Sequence, residues 1–155
     1  MKKLLVLAMV SAVGFGAWKW HSHAQGAQVP AAGDSRLVLD RLWIDHVPKN
    51  DRDTVQVFAA LSEEAFGVFQ QTSAWKGGYE IFQFEAQGDQ LRMVFPQDGT
   101  NAKVRATARR CNEAGMDYCL ELSGGNRGVK RYYSMEGWEI GSLADEQAKV
   151  RALTK

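Results

Sequence analysis

Between Phe82 and Phe95 the chain runs FQFEAQGDQLRMVF, and its apolar and polar positions mirror each other about Gly88-Asp89. Folding the segment there pairs Phe82 with Phe95, Phe84 with Met93 and Ala86 with Leu91 on one face. The other face pairs Glu85 with Arg92 and Gln83 with Val94. One apolar and one mostly polar face is the pattern of a half-buried antiparallel pair, and a slip of one residue would turn the apolar set out to water. A two-residue Gly-Asp connection suits such a hairpin, because Gly accepts positive φ at the first turn position.

The same reflection about Gly115 sets Cys111 opposite Cys119, Arg109 opposite Glu121 and Thr107 opposite Ser123. Ala108 then meets Leu122 and Arg110 meets Leu120 on the alternate face. Cysteines opposed at a non-hydrogen-bonded position lie close enough for a disulfide, here closing the loop CNEAGMDYC. With no Cys-x-x-Cys present, the bridge reads as structural rather than redox-active.

Elsewhere Arg36 to Val47 predicts a first strand carrying Trp43, and Thr54–Leu61 and Phe66–Ser73 a hairpin through Ser62-Glu63-Glu64. Phe95 to Val104 turns at Gln97-Asp98-Gly99-Thr100, and SGGNRG (123–128) leads to a last strand, VKRYYSM, reaching toward Trp138. These segments predict an all-β fold: a single antiparallel up-and-down barrel of about eight strands, whose closure removes its edges. Ser142-Leu143-Ala144-Asp145 has the form of a capping box opening one short C-terminal helix through Leu153.

Eight meandering strands, a Trp on the first and a helix after the last resemble the lipocalin fold and its calycin relatives over residues 36–153. The resemblance implies that Trp43 is the Trp of the barrel floor, although Arg41 stands where the family has Gly. Asp117-Tyr118 looks like the Asp-Tyr of the family's second motif, and Arg131 or Arg127 like the Arg that covers the Trp.

The N-terminus changes the setting. Lys2 and Lys3 precede the apolar run Leu4–Trp18, which is short for a span of roughly 20 residues but right for a secretory h-region. Residues 1–24 therefore read as a signal peptide cleaved after Ala24 or as an uncleaved N-terminal anchor, and residues 25–35 as a flexible tether. A barrel domain with its helix follows over 36–153. At 155 residues, one domain with a real core is expected. Removing the leader's Lys2, Lys3 and Lys19 from 19 basic and 18 acidic residues leaves 16 against 18, a net charge of −2. Such a surface argues against nucleic acid, whose binding needs clustered cations. Export to the periplasm or beyond would place Cys111 and Cys119 where a disulfide is the default. Any membrane contact would come only through the N-terminal anchor.

Catalytic parts are few. His46, beside Asp45, is the only His after the leader, and no Gly-x-Ser-x-Gly elbow accompanies it. His21 and His23 fall in the leader, and two ligands do not make a zinc site. No cofactor, metal site or enzymatic activity is expected. The inward positions carry more interest: Ala106 and Ala108 face Phe82, Phe84, Met93, Phe95, Tyr118 and Leu122. Small residues against aromatics leave room for a cavity, and a barrel of about eight strands is either filled by side chains or holds one small ligand. Arg110 shares the parity of Ala108, so it either meets a ligand's anionic group at the mouth or carries its stem out to water. Two functions follow. One is an exported binder of a lipid or other apolar small molecule, held by Phe82, Phe84, Met93, Phe95, Ala106, Ala108, Arg110 and Tyr118. The other is a non-enzymatic structural or interaction module with a filled barrel, docking an envelope protein through Trp75, Trp138 and Tyr132-Tyr133.

Overall fold

A computed structural model describes residues 35–125 and 127–154. The expected leader, residues 1–24, and the tether up to residue 34 lie outside the described residues. A helical turn α1 (Ser35–Val38) leads into eight strands: β1 (Trp43–Ile44), β2 (Val55–Leu61), β3 (Phe66–Thr72), β4 (Gly77–Gln87), β5 (Gln90–Phe95), β6 (Thr100–Glu113), β7 (Met116–Gly124) and β8 (Arg131–Ser134). A helix α2 (Leu143–Leu153) follows. Each strand pairs antiparallel with the next, and β1 closes the ring on β8 through Ile44 and Tyr133. The fold is a closed up-and-down barrel.

The β4–β5 register is the one its sequence pattern implies: Gln83–Val94, Phe84–Met93, Glu85–Arg92 and Ala86–Leu91. Gly88 takes a positive φ of 61° at the turn, where a side chain would be strained. The β2–β3 hairpin also forms as expected, while the β5–β6 turn falls at 96–99, one residue earlier than the sequence suggests. Ser142 caps α2, its hydroxyl accepting from the Asp145 amide at 3.2 Å.

The β6–β7 register differs from simple reflection. Arg109 opposes Cys119, Thr107 opposes Glu121 and Ala108 opposes Leu120, each two positions from expectation. An irregularity between Arg110 and Glu113 absorbs the difference, and the chain turns at Ala114-Gly115, both at positive φ (54° and 74°). A shift of two preserves the period-2 pattern, so the apolar face stays inward although every partner changes. The disulfide survives for the same reason. Cys111 is diagonal to Cys119, a relation that in a regular ladder spans about 7–8 Å. The bulge brings the two Cα atoms to 5.7 Å, within bridging range, and Cys111–Cys119 are bonded.

The expected first strand, Arg36–Val47, is mostly something else. Ser35–Val38 is helical, Asp40 takes a positive φ of 55°, and only Trp43–Ile44 pair as a strand. Val38 is buried in the barrel interior and its carbonyl accepts from the Trp43 indole N–H at 2.9 Å. The β-rich run Leu37-Val38-Leu39 reads as strand, but these residues plug the end of the barrel instead. The last strand likewise stops at Ser134, well before Trp138.

Two apolar clusters result. The interior gathers Trp43, Phe58, Phe69, Phe82, Phe95 and Tyr132 with their aliphatic neighbours. The second lies outside the sheet, where Val55, Val57, Ala59 and Leu61 of β2 meet Ile140 and Val150. With both faces covered, β2 reads as the nearly unbroken apolar run VQVFAAL rather than as an alternation.

Candidate functional site

The eight residues expected to line a ligand cavity divide into two groups. Phe82, Phe95 and Ala106 are wholly buried, Met93 and Ala108 nearly so, and Phe84 and Tyr118 remain slightly exposed at 7% and 6%. All seven belong to the interior cluster. The aromatic rings touch one another: Phe69–Phe82 centroids lie 5.2 Å apart, Phe58–Phe82 5.9 Å and Phe82–Phe95 6.0 Å. A cavity able to admit water would leave accessible surface on its wall, and the walls around Phe82, Leu91, Phe95, Val104 and Ala106 have none. Gly67 shows how close the fit is, since a Cβ there would stand 2.2 Å from the Phe82 ring.

Arg110 does not join them. Its side chain is 63% exposed, lies 5.1 Å from the centroid of the Tyr118 ring and faces Glu136 at 3.8 Å. The same ring carries Arg41 at 4.2 Å, a buried cation whose Nη1 donates to the Met135 carbonyl and whose Nη2 pairs with Glu139. Both guanidiniums sit at the plugged end, beside α1, not at an open mouth.

The other end carries the β1–β2, β3–β4, β5–β6 and β7–β8 loops. Arg127, from the last of these, lies 4.0 Å over the Phe95 ring and donates to Asp98 at 2.6 Å, to Glu80 at 3.2 Å and to Thr100. The Thr100 hydroxyl and amide, then Arg127, hold the Asp98 carboxyl down at about 2. The Tyr132 hydroxyl accepts from the Val129 amide at 3.1 Å, and burial pushes that phenol well above its ordinary range. Arg127 stacks on Phe95 and Arg131 is tied to Glu121 on the surface, so neither plays the expected part of covering Trp43. A depression of 490 Å³ remains beside this cover, between Phe69, Tyr79 and Arg127.

Asp45 and His46 belong to a loop network. The His46 Nδ1 lies 2.9 Å from Asp45 and Nε2 3.3 Å from Asp53, while Asp45 accepts from the Gln56 amide at 2.9 Å. The Lys49 amide and then His46 hold the Asp53 carboxyl below its usual range. These bonds pin the long β1–β2 loop. Glu113 stands with Cys111 and Cys119 within 4.8 Å, yet sulfurs joined in a disulfide offer no thiolate to a cation. Among the docking aromatics, Trp75 is 74% exposed, Trp138 and Tyr133 pack against the outer cluster, and Tyr132 is core.

Two concavities lie on the outer wall. The larger, 670 Å³, is a saddle over β4–β6 floored by the cross-strand row Glu85, Arg92 and Lys103, all exposed to water. The other, 460 Å³, is a cleft between α2 and the outer face of β3–β4. Its walls are Val68 and Ile81 on the sheet and Leu143 and Val150 on the helix, with Tyr79, 66% exposed, at the lip. Glu146 also lines it, 1% exposed, with Oε1 lacking a hydrogen-bond partner among the described residues. Burial alone pushes this carboxyl up to about 7. Sequence reading missed the cleft. The available signal was Glu146 itself, standing at the i+3 position of the stripe Leu143–Glu146–Val150 where an apolar residue belongs.

In comparison with known proteins, no family model, no curated protein and no solved structure matches the chain. The likeness to lipocalins is one of architecture.

Proposed function

We propose that this chain is an exported, non-enzymatic binding module in which the lipocalin-like barrel is a filled scaffold and recognition occurs on its outer surface. One observation carries the reading: the interior aromatic rings are in mutual contact, and Trp43, Phe58, Phe82, Phe95 and Tyr132 at their centre bear no accessible surface. The bridged Cys111–Cys119 pair supports an oxidising, envelope-side location, and no helix among the described residues is long and apolar enough to cross a membrane. The recognition surface is the β3–β4 end, where Trp75 and Tyr79 stand exposed beside the α2 cleft. Aromatic side chains are favoured at such surfaces because they supply contact area at low entropic cost.

A second reading, an apolar ligand held inside the barrel, is favoured by the depression beside Phe69 and Arg127. Entry would require the β7–β8 loop to release Asp98 and Glu80 and swing off the mouth. A fluorescent fatty-acid probe separates the two readings. A filled barrel leaves the probe unbound, and Ala106→Phe overpacks the core at a cost of about 1–3 kcal/mol. Tight probe binding by the wild type, lost in a stable Ala106→Phe variant, would establish the interior site instead.

A further inference from the structure

Glu146 is a buried acid on the apolar stripe of α2. It stands one turn after Leu143 and one before Val150, is 1% exposed, and faces a cleft of 460 Å³ with an oxygen that nothing among the described residues serves. An unpaired carboxylate at such a position is costly, and burying it is tolerated only when it is protonated or met by an opposite charge. Among the described residues no other acid lines the cleft, so a divalent cation, which wants several oxygens, has too few ligands there.

We infer that the α2/β3–β4 cleft binds a small organic ammonium ion, its charged nitrogen donating to Glu146 and its apolar body lying along Val68, Ile81 and Val150. The chemistry of the walls selects this class. The sheet side supplies apolar contacts, the lip supplies the Tyr79 ring, and a cation near an aromatic face gains further attraction. Gln70 and Thr72, at the polar side of the cleft, accept any remaining N–H. Among the described residues the charged and titratable groups lining the cleft with Glu146 are Arg151 from α2 and Tyr79 from β4, while β3 contributes Phe66, Val68, Gln70 and Thr72. Arg151 is exposed, so water and salt screen its charge.

Binding is coupled to a proton. An ammonium ion takes the carboxylate form, and burial leaves Glu146 largely protonated below about 7. Occupancy therefore releases a proton, and affinity rises with pH up to that value and then levels. From pH 5 to pH 8 the gain is about hundredfold.

The inference rests on the outer-surface reading, and calorimetry on the full chain with hexylammonium and its neutral counterpart hexan-1-ol tests it separately. Hexylammonium should bind about hundredfold tighter at pH 8 than at pH 5, hexan-1-ol with no such dependence. Glu146→Gln should abolish the preference for the amine while melting no lower than the wild type at pH 8. Carbon-detected titration of the wild-type Glu146 carboxyl should move to lower pH on adding hexylammonium, a readout that needs no variant. Equal affinity for amine and alcohol, or an amine preference retained in Glu146→Gln, overturns the inference. Amine binding blocked by Ala106→Phe but not by Glu146→Gln would place the ligand inside the barrel, overturning the outer-surface reading as well.

Discussion

Replacing Glu146 with glutamine should stabilise the protein, and by an amount that depends on pH. The carboxyl titrates at an ordinary 4.5 in the unfolded chain and is held at about 7 in the folded one, with desolvation as the cause. Below pH 4.5 both states carry the proton and the group is neutral to stability. Between 4.5 and about 7 the unfolded chain ionises while the folded one keeps its proton, so stability falls as pH rises. Above about 7 both are ionised and the loss is complete. At about 1.4 kcal/mol for each pH unit between the two values, the full loss is about 3 kcal/mol. Glutamine has nearly the same shape and does not ionise, so Glu146→Gln should match the wild type at pH 4 and exceed it by about 2–3 kcal/mol at pH 8.5. Urea melts of both proteins at pH 4, 5.5, 7 and 8.5 give the difference directly. Taking the difference removes Asp53 and Asp98, whose lowered values act in the opposite sense, adding stability that is lost as pH falls. A pH-independent difference, or a wild type more stable than the variant at pH 8.5, would refute a desolvated carboxyl in the cleft.

Other expectations concern the barrel. Phe84→Ala should cost about 3–5 kcal/mol as a truncated buried ring, whereas Gln87→Ala beside the β4–β5 turn should cost little, both by denaturant melts. Cys111 and Cys119 should emerge joined in non-reducing peptide maps, and reducing them should lower stability by about 2–3 kcal/mol for so short a loop. Ala114→Asn should raise stability by about 0.5–1 kcal/mol, because alanine is strained at φ 54° and Asn-Gly suits a turn with two positive-φ positions. A thermal melt that falls in this variant would mean the turn is not of that form.

Features that depend on neighbours in the chain are legible in the amino-acid order. The reflection about Gly88-Asp89 sets the β4–β5 register because both strands and their turn lie within one short segment. The α2 start is legible at Ser142 for the same reason, since a cap is a contact between residues three apart. Around Gly115 the local rule gave the right faces and the wrong partners, because parity is a property of the strand while the bulge between Arg110 and Glu113 belongs to the paired sheet.

Tertiary structure decided the rest. Arg36–Val38 read as the start of a β-rich strand but are drawn into a helical turn that plugs the barrel, with the Val38 carbonyl held by the Trp43 indole. The inward parity of Ala106 and Ala108 is legible, but whether they border a cavity depends on rings brought in by other strands, Phe58, Phe69 and Phe82 among them. Those rings fill the space. Glu146 is the clearest case: its helix position is written in the sequence, yet its burial exists only because α2 packs on the outer face of β2 and β3. Volume and desolvation are sums over residues distant in the chain, and no local pattern contains them.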